Sequence, residues 1–515
     1  MTSVVLDPGF VRDAVRRVRF GAGIGLVLAL AAAIGVLAAR DPVLGIGAGM
    51  TVLVGAAVLR LPDVATIAVL AIVYSNTAVN AVKLHGVPYI AGAAVPLLLI
   101  LPLIYHLVVR RRPLVVGPAL PLLGLLLVVQ IASTLTSSNS AASLGSLAVF
   151  AVEGVGLYLL LTNVVRSFEL LRAAVWTLLL LGALFGALSL FQQVTGAFDN
   201  DFGGFAQVSQ AAFVGDKVDG QEIFQKRLAG PIGEQNRYAQ IMLVLLPLAL
   251  FRIRGERRQG LRLLAGCCAA LIAVGVALTF SRGAGVAFAV VLVAMTIMRT
   301  IRVRHLILVV AGVLILLSAM PAYQARLSTL GSLVHVGSKS ESGPKADGAA
   351  DSRAVEAGAA ALVVLDHPLL GVGPGRFKTT YVDYAKQVGL DGARNQNRQA
   401  HNLYLGVAAE TGLLGLAALL GIFVVTLRAL SRIRRRLADE RPELAGMATG
   451  FQLAIVAYMT TGMFLHLAFE RYLWLLLALA GVTCVLGRAA EAELAARSVR
   501  NRSARTEDVP AGVGA

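Results

Sequence analysis

Long apolar runs, separated by short polar or basic intervals, dominate this chain. They fall at about 20–39, 43–59, 64–82, 88–109, 113–133, 143–164, 172–194, 237–251, 262–280, 284–298, 305–320, 402–427, 446–467 and 472–487. A helix needs about 20 apolar residues to cross a bilayer, and most of these runs reach or approach that length. The pattern predicts an all-α fold, a polytopic transmembrane helical bundle of about fourteen spans, with twelve possible. Two polar intervals, 195–236 and 321–401, are far longer than the rest, and loops of more than about 15 residues are usually functional or disordered. In the second, Ser328 to Ser352 is rich in Ser, Gly and Lys and reads as a flexible stretch. Asp351 to Leu365 then repeats apolar residues at helical spacing behind a candidate N-cap at Asp351 or Ser352.

The order of runs and loops divides the chain into six segments. Residues 1–19 form a cytoplasmic N-terminal segment, 20–194 the N-terminal helices, and 195–320 a central membrane region with the first long outer loop. Residues 321–401 form a large, partly helical extracytoplasmic loop, 402–487 the C-terminal helices, and 488–515 a cytoplasmic tail that starts helical and ends polar and disordered. The first run is too long for the apolar stretch of a cleaved signal peptide and reads as a retained anchor.

Composition sharpens the class. Of 515 residues, 57% are hydrophobic and 15% charged, against about 25% charged in a soluble domain. The net charge of +17 could suggest nucleic acid, but in a membrane protein the placement of charge matters more than its sum. Threaded from a cytoplasmic N-terminus, one side collects 29 Lys and Arg, while short loops on the other hold only Arg40, Lys83, Arg282 and Arg471. Positive charge marks the cytoplasmic side, so both termini are expected there and no nucleic acid is needed. Cys267, Cys268 and Cys484 lie inside apolar runs without metal-ligand spacing, which speaks against a disulfide framework or a zinc site.

Five features could carry chemistry. Ser281-Arg282-Gly283 falls where one run should emerge and the next begin. Ser281 suits an N-cap, and an Arg in a first helical turn opposes the helix dipole unless an anion is held there; otherwise Arg282 is an interfacial snorkelling residue. The segment from Arg227 through Gly230-Pro231 to Asn236 and Arg237 puts more cations at the same face, as a site or as solvated loop charges. His401-Asn402 opens the long run after the second loop. A helix N-terminus there disfavours imidazolium and leaves His401 able to accept a proton, although His is also tolerated as an interfacial side chain. Gly371-Val-Gly373-Pro-Gly375-Arg376 lacks the strand and helix of a dinucleotide loop and reads as a tight turn presenting backbone amides and Arg376. Glu153, a carboxylate near mid-span, is either a coupling group in a transporter or a partner for an Arg.

Together, Thr279-Phe-Ser281-Arg282-Gly283-Ala-Gly285, His367-Pro-Leu-Leu-Gly371-Val-Gly373-Pro-Gly375-Arg-Phe377 and His401-Asn402-Leu-Tyr404 through Glu410-Thr411-Gly412-Leu-Leu-Gly415 resemble, in order and topology, the O-antigen ligase and polymerase superfamily. The Arg227 to Asn236 segment is similar to an earlier loop motif of that family, so the resemblance covers roughly 220–425. It implies a metal-independent, inverting glycosyltransferase of the bacterial cytoplasmic membrane, without a cofactor. The donor would be a glycan on polyprenyl (undecaprenyl) pyrophosphate and the acceptor a hydroxyl of a glycan or glycolipid. By the same resemblance His401 is the general base, Arg282 and Arg227 hold the donor pyrophosphate, and Asn402, Asn236, Glu410 and Arg376 support them. A transporter or lipid flippase for envelope precursors, coupled through Glu153, is the alternative.

Overall fold

The computed structural model describes residues 61–89, 92, 95–209, 213–218, 221–302, 304, 307, 348–388, 398–465 and 471–507. The expected runs at 20–39 and 43–59, nearly all of 305–320, the segment 1–19 and most of the Ser328 to Ser352 stretch lie outside the described residues.

The helices follow the apolar runs. They are α1 (Pro62–Tyr74), α2 (Thr77–His85), α3 (Val95–Val109), α4 (Leu120–Thr136), α5 (Ser140–Val164), α6 (Phe168–Thr195) and α7 (Gln235–Gly255). After these come α8 (Gln259–Ala277), α9 (Arg282–Ile297), α10 (Gly348–Asp366), α11 (Phe377–Ala385), α12 (Leu403–Arg436), α13 (Pro442–Thr461) and α14 (Arg471–Glu507). Seven are long and apolar enough to cross a membrane: α5, α6, α7, α8, α12, α13 and α14 over Arg471–Ser498. The pair α1 and α2, bent by 54°, passes the same test jointly, and α3, α4 and α9 are shorter apolar helices. The described chain is an all-α polytopic membrane protein.

Local chemistry sets the ends. Ser167, Ser281 and Asn402 each accept a backbone N–H of the helix that follows, satisfying donors that would otherwise be stranded at the N-terminus. Small residues set the packing: a Cβ at Gly186 would sit 2.1 Å from the Leu271 carbonyl oxygen, and one at Gly275 would sit 3.1 Å from the Gly186 Cα. Glycine thus lets α6 and α8 approach backbone to backbone, the usual source of helix affinity in lipid, where apolar burial gives no drive.

One end of the bundle is fastened by charge. Glu256, just past α7, is buried with Arg252 and also bonds Arg172 and the Trp176 indole of α6. A buried carboxylate is tolerated when each oxygen is matched in this way. The opposite end of α7 begins at Gln235, so the Arg227 to Arg237 segment lies one helix length away from this fastening.

The two long loops depart in detail from the sequence pattern. The first holds four short strands, β1 (Gln207–Val208), β2 (Phe213–Val218), β3 (Gln221–Gln225) and β4 (Leu228–Gly230), paired antiparallel as β1–β4 and β2–β3. In the second, α10 already runs at Gly348, so Asp351 and Ser352 lie inside the helix and do not cap it. The expected short helix of the tail is the continuation of α14, which extends unbroken through the last described residue, Glu507.

Val355, Ala359, Ala360 and Val363 of α10 pack with Phe377 and Tyr381 of α11 in a small second core, which also takes in Ala400 and Ala409 of the α12 region. This core holds α10 and α11 against the start of α12.

Candidate functional site

Three helix N-termini are joined by short contacts. At α7, Glu234 accepts the backbone N–H groups of Asn236 (3.0 Å) and Arg237 (2.7 Å), and its Oε1 also accepts from the Asn236 side chain at 2.9 Å. Asn236 in turn accepts from Arg227 Nη2 at 3.1 Å, while Arg227 Nε donates to the Thr279 carbonyl at 2.9 Å. Arg227 is therefore held by the α7 cap on one side and, on the other, by the strand of chain that leads directly into Ser281-Arg282. Ser281 caps α9, which puts Arg282 in the first turn, half-buried, as the sequence suggested.

The third N-terminus carries the histidine. Asn402 Oδ1 accepts from the Tyr404 and Leu405 amides at 2.9 and 3.0 Å, and Asn402 Nδ2 donates to the Met463 carbonyl at 3.2 Å. Leu403 N donates to the Gly462 carbonyl at 2.7 Å. The same turn covers α9, since a Cβ at Gly283 would lie 3.2 Å from the Phe464 side chain. The turn 462–464 thus joins the His401-Asn402 end of α12 to the Arg282-Gly283 end of α9. Sequence reading did not single out this turn, because nothing in its residues signals a bridge.

His401 adopts φ 42°, a left-handed conformation uncommon for a residue with a Cβ. Its Nδ1 lies 2.8 Å from Glu356 Oε2 and 3.1 Å from the Gln399 carbonyl. Glu356 also receives Arg398 Nη1 at 3.1 Å. The His401 side chain is 43% exposed and that of Glu356 1%, so the imidazole stands on a buried carboxylate with much of its ring open. Tyr381 is packed close by, and burial first, then the Glu356 carboxylate, push its phenol up and keep it protonated.

Glu356 was missed in the sequence, although a signal existed. It shares the i, i+4, i+7 face of α10 with Ala360 and Val363, both buried, and a carboxylate on the apolar stripe of a helix requires a partner.

Glu410 is joined to the glycine-rich turn that leads to Arg376. Gly375 N donates to Glu410 Oε2 at 2.9 Å, and the Val372 and Gly373 amides donate to the carbonyls of Ala409 and Glu410, each at 3.0 Å. Ser133 of α4 bonds the Glu410 carbonyl, and Ser137 bonds that of Val372. The glycine-rich turn therefore spends these amides on α12, where the sequence suggested that it would present them. Arg376 leads into α11 and is half-buried. Glu153 lies in a π-helical turn of α5, 3.7 Å from Arg471, which also donates to Asn76. Asn76 donates to the Pro231 carbonyl, inside the Arg227 to Arg237 segment.

Among the described residues no cluster of His, Cys, Asp and Glu has the arrangement of a metal site. The arrangement that remains is a half-open imidazole backed by a carboxylate, at a helix N-terminus tied through the 462–464 turn to one that carries a guanidinium. Such an arrangement suits an anionic leaving group and a hydroxyl to be deprotonated.

Residues 267–420 match the model of the family described as O-antigen ligase, less than a third of the chain. Arg282, Glu356, Arg376, His401, Asn402 and Glu410 fall inside the match, and Arg227 and Asn236 precede it. No curated protein matches the chain. The chain is thus a polytopic membrane protein with a stretch, residues 267–420, that is similar to the O-antigen ligase family.

Proposed function

We propose that this protein moves a glycan from a polyprenyl-pyrophosphate donor to a hydroxyl of a glycan or glycolipid acceptor, at the outer face of the bacterial cytoplasmic membrane with both termini inside. The observation that carries this reading is the 462–464 turn, which ties the His401 end of α12 to the Arg282 end of α9, with Arg227 bonded to Thr279 two residues before Ser281.

In the proposed reaction His401 takes the acceptor's hydroxyl proton while the acceptor oxygen attacks the anomeric carbon. The bond from that carbon to the pyrophosphate oxygen breaks, and its electron pair leaves with the pyrophosphate. Attack opposite the leaving group inverts the anomeric centre, and no metal takes part. Arg282 and Arg227 meet charge that grows as the bond breaks, so they stabilise the transition state more than the bound donor. Asn236 orients Arg227, and Asn402 orients the start of α12. Glu410 supports the site from behind by clamping the glycine-rich turn to α12, and Arg376 ends that turn at the start of α11.

Arg282→Lys tests the donor assignment, because lysine keeps the charge but cannot present two parallel donors to phosphate oxygens. A lost charge-assisted contact of about 1.5–3 kcal/mol predicts a fall in kcat/KM of roughly tenfold or more, with a deeper loss in Arg282→Ala. The measurement is glycan transfer by purified protein in vesicles supplied with a polyprenyl-pyrophosphate glycan. Unchanged product formation in both variants would remove Arg282 from the mechanism.

The flippase reading depends on Glu153, and the Arg471 and Asn76 contacts favour a structural partner over a coupling group. Glu153→Gln is therefore expected to retain glycan transfer in the same vesicles. Loss of lipid movement in Glu153→Gln, with His401 variants behaving as wild type, would favour transport.

A further inference from the structure

A histidine acts as a base only through a nitrogen that lacks a hydrogen, so whatever touches the other nitrogen decides whether it can work. Around Nδ1 of His401 stand two oxygens that can only accept, Glu356 Oε2 at 2.8 Å and the Gln399 carbonyl at 3.1 Å. With both groups accepting, Nδ1 must carry the hydrogen and the lone pair falls on Nε2. Among the described residues Nε2 has no hydrogen-bond partner, and the side chain is 43% exposed.

The carboxylate itself is fixed. Glu356 is 1% exposed, and its second oxygen receives Arg398 Nη1 at 3.1 Å. Arg398 and His401 are three residues apart on the segment entering α12, while Glu356 comes from α10, across the small second core. One buried carboxylate therefore ties α10 to the residue that the proposed function uses as base.

We propose that Glu356 is the positioning residue of this site: it locks His401 in the tautomer with the lone pair on Nε2, with Arg398 holding its other oxygen. This inference rests on the assignment of His401 as base and adds how the base is prepared. When Nε2 takes the acceptor's proton, the ring becomes imidazolium and the Glu356 carboxylate, already in contact, stabilises the new charge without moving. The proton taken from the acceptor then leaves Nε2 to solvent.

Glu356→Gln separates this role from packing, because glutamine has the same shape. Arg398 is a donor and will hold the amide oxygen, which turns the amide NH2 group toward Nδ1 and sets a donor against its N–H. The ring must then tilt or exchange its hydrogen to Nε2, and the base is lost either way. Expected is a fall in kcat of about 10²-fold, toward the level of His401→Ala, with KM for the donor and the amount of folded protein unchanged. Removing the clamp in Glu356→Gln/Arg398→Met frees the amide to rotate and offer its oxygen to Nδ1, so kcat should recover by about fivefold or more over Glu356→Gln.

A purely structural Glu356 would show no such recovery, since the double variant has lost more contacts. Wild-type kcat in Glu356→Gln beside an inactive His401→Ala overturns the positioning role and leaves the base intact. So does a double variant that stays folded but no more active than Glu356→Gln. Full activity in His401→Ala would instead remove the base assignment.

Discussion

His401→Ala should abolish glycan transfer while leaving the protein folded and inserted. A positioned general base contributes about 10²- to 10⁴-fold, so transfer should fall by that factor. Binding of the pyrophosphate-linked donor should be retained, because the groups proposed to hold it, Arg282 and Arg227, belong to other elements. Two features of the site complicate the alanine variant. It leaves the Glu356 carboxylate with Arg398 as its remaining side-chain partner, and it puts alanine at φ 42°. His401→Asn addresses both, since asparagine can donate to a carboxylate and tolerates the left-handed region, yet cannot accept the acceptor's proton. Loss of transfer in both variants, with unchanged thermal stability in His401→Asn, is the expected result. Normal product from either one removes the proposed chemistry.

The second large effect is structural. Gly412 breaks α12 with φ 69° and ψ −175°, a region essentially reserved for glycine. A Cβ there would lie 2.0 Å from the Leu369 carbonyl oxygen and 2.1 Å from its carbon. The break lets the chain at Pro368 accept the Leu413 amide at 2.8 Å and lets the glycine-rich turn reach Ala409 and Glu410. Gly412→Ala must therefore either push the segment around Leu369 off α12 or straighten the helix through it. The backbone conformation alone costs about 1–3 kcal/mol for a residue with a side chain. The expected result is a lower melting temperature, faster proteolysis within residues 367–388, and loss of transfer because α10 no longer presents Glu356 to His401. Gly446→Ala serves as the control: a Cβ there meets the Phe251 side chain at 3.6 Å, ordinary contact, inside the regular helix α13. If Gly412→Ala is as stable and active as Gly446→Ala, the break does not hold the site together.

Both effects arise where the sequence was informative in different degrees. His401, Arg282 and their caps Asn402 and Ser281 were readable, because each stands at the polar boundary of an apolar run and capping is a local matter decided within four residues. Gly412 was quoted only as part of a motif. Inside a run of Leu and Ala, nothing local distinguishes a glycine that packs a helix from one that breaks it. The collision with Leu369, more than forty residues earlier, makes the distinction.

Glu356 marks the same limit. Its place on the buried stripe of α10 could be read from the spacing to Ala360 and Val363, but the partner could not. His401 is forty-five positions away, beyond residues whose pattern says nothing of how the loop returns. The Arg376 turn shows the converse, since a glycine-rich stretch with free amides on paper has its Val372, Gly373 and Gly375 amides committed to α12.

By itself the sequence determined that this is a helical membrane protein, where most of its spans begin and end, and which few polar residues stand at their mouths. These follow from transfer free energy and helix-end hydrogen bonding, which act over one turn or one bilayer thickness. Tertiary structure decided which helix starts are tied together, that a carboxylate from α10 stands behind the imidazole, and that Glu410 secures a turn. Those outcomes depend on contacts between segments far apart in the chain, and helix periodicity carries no information about which faces meet.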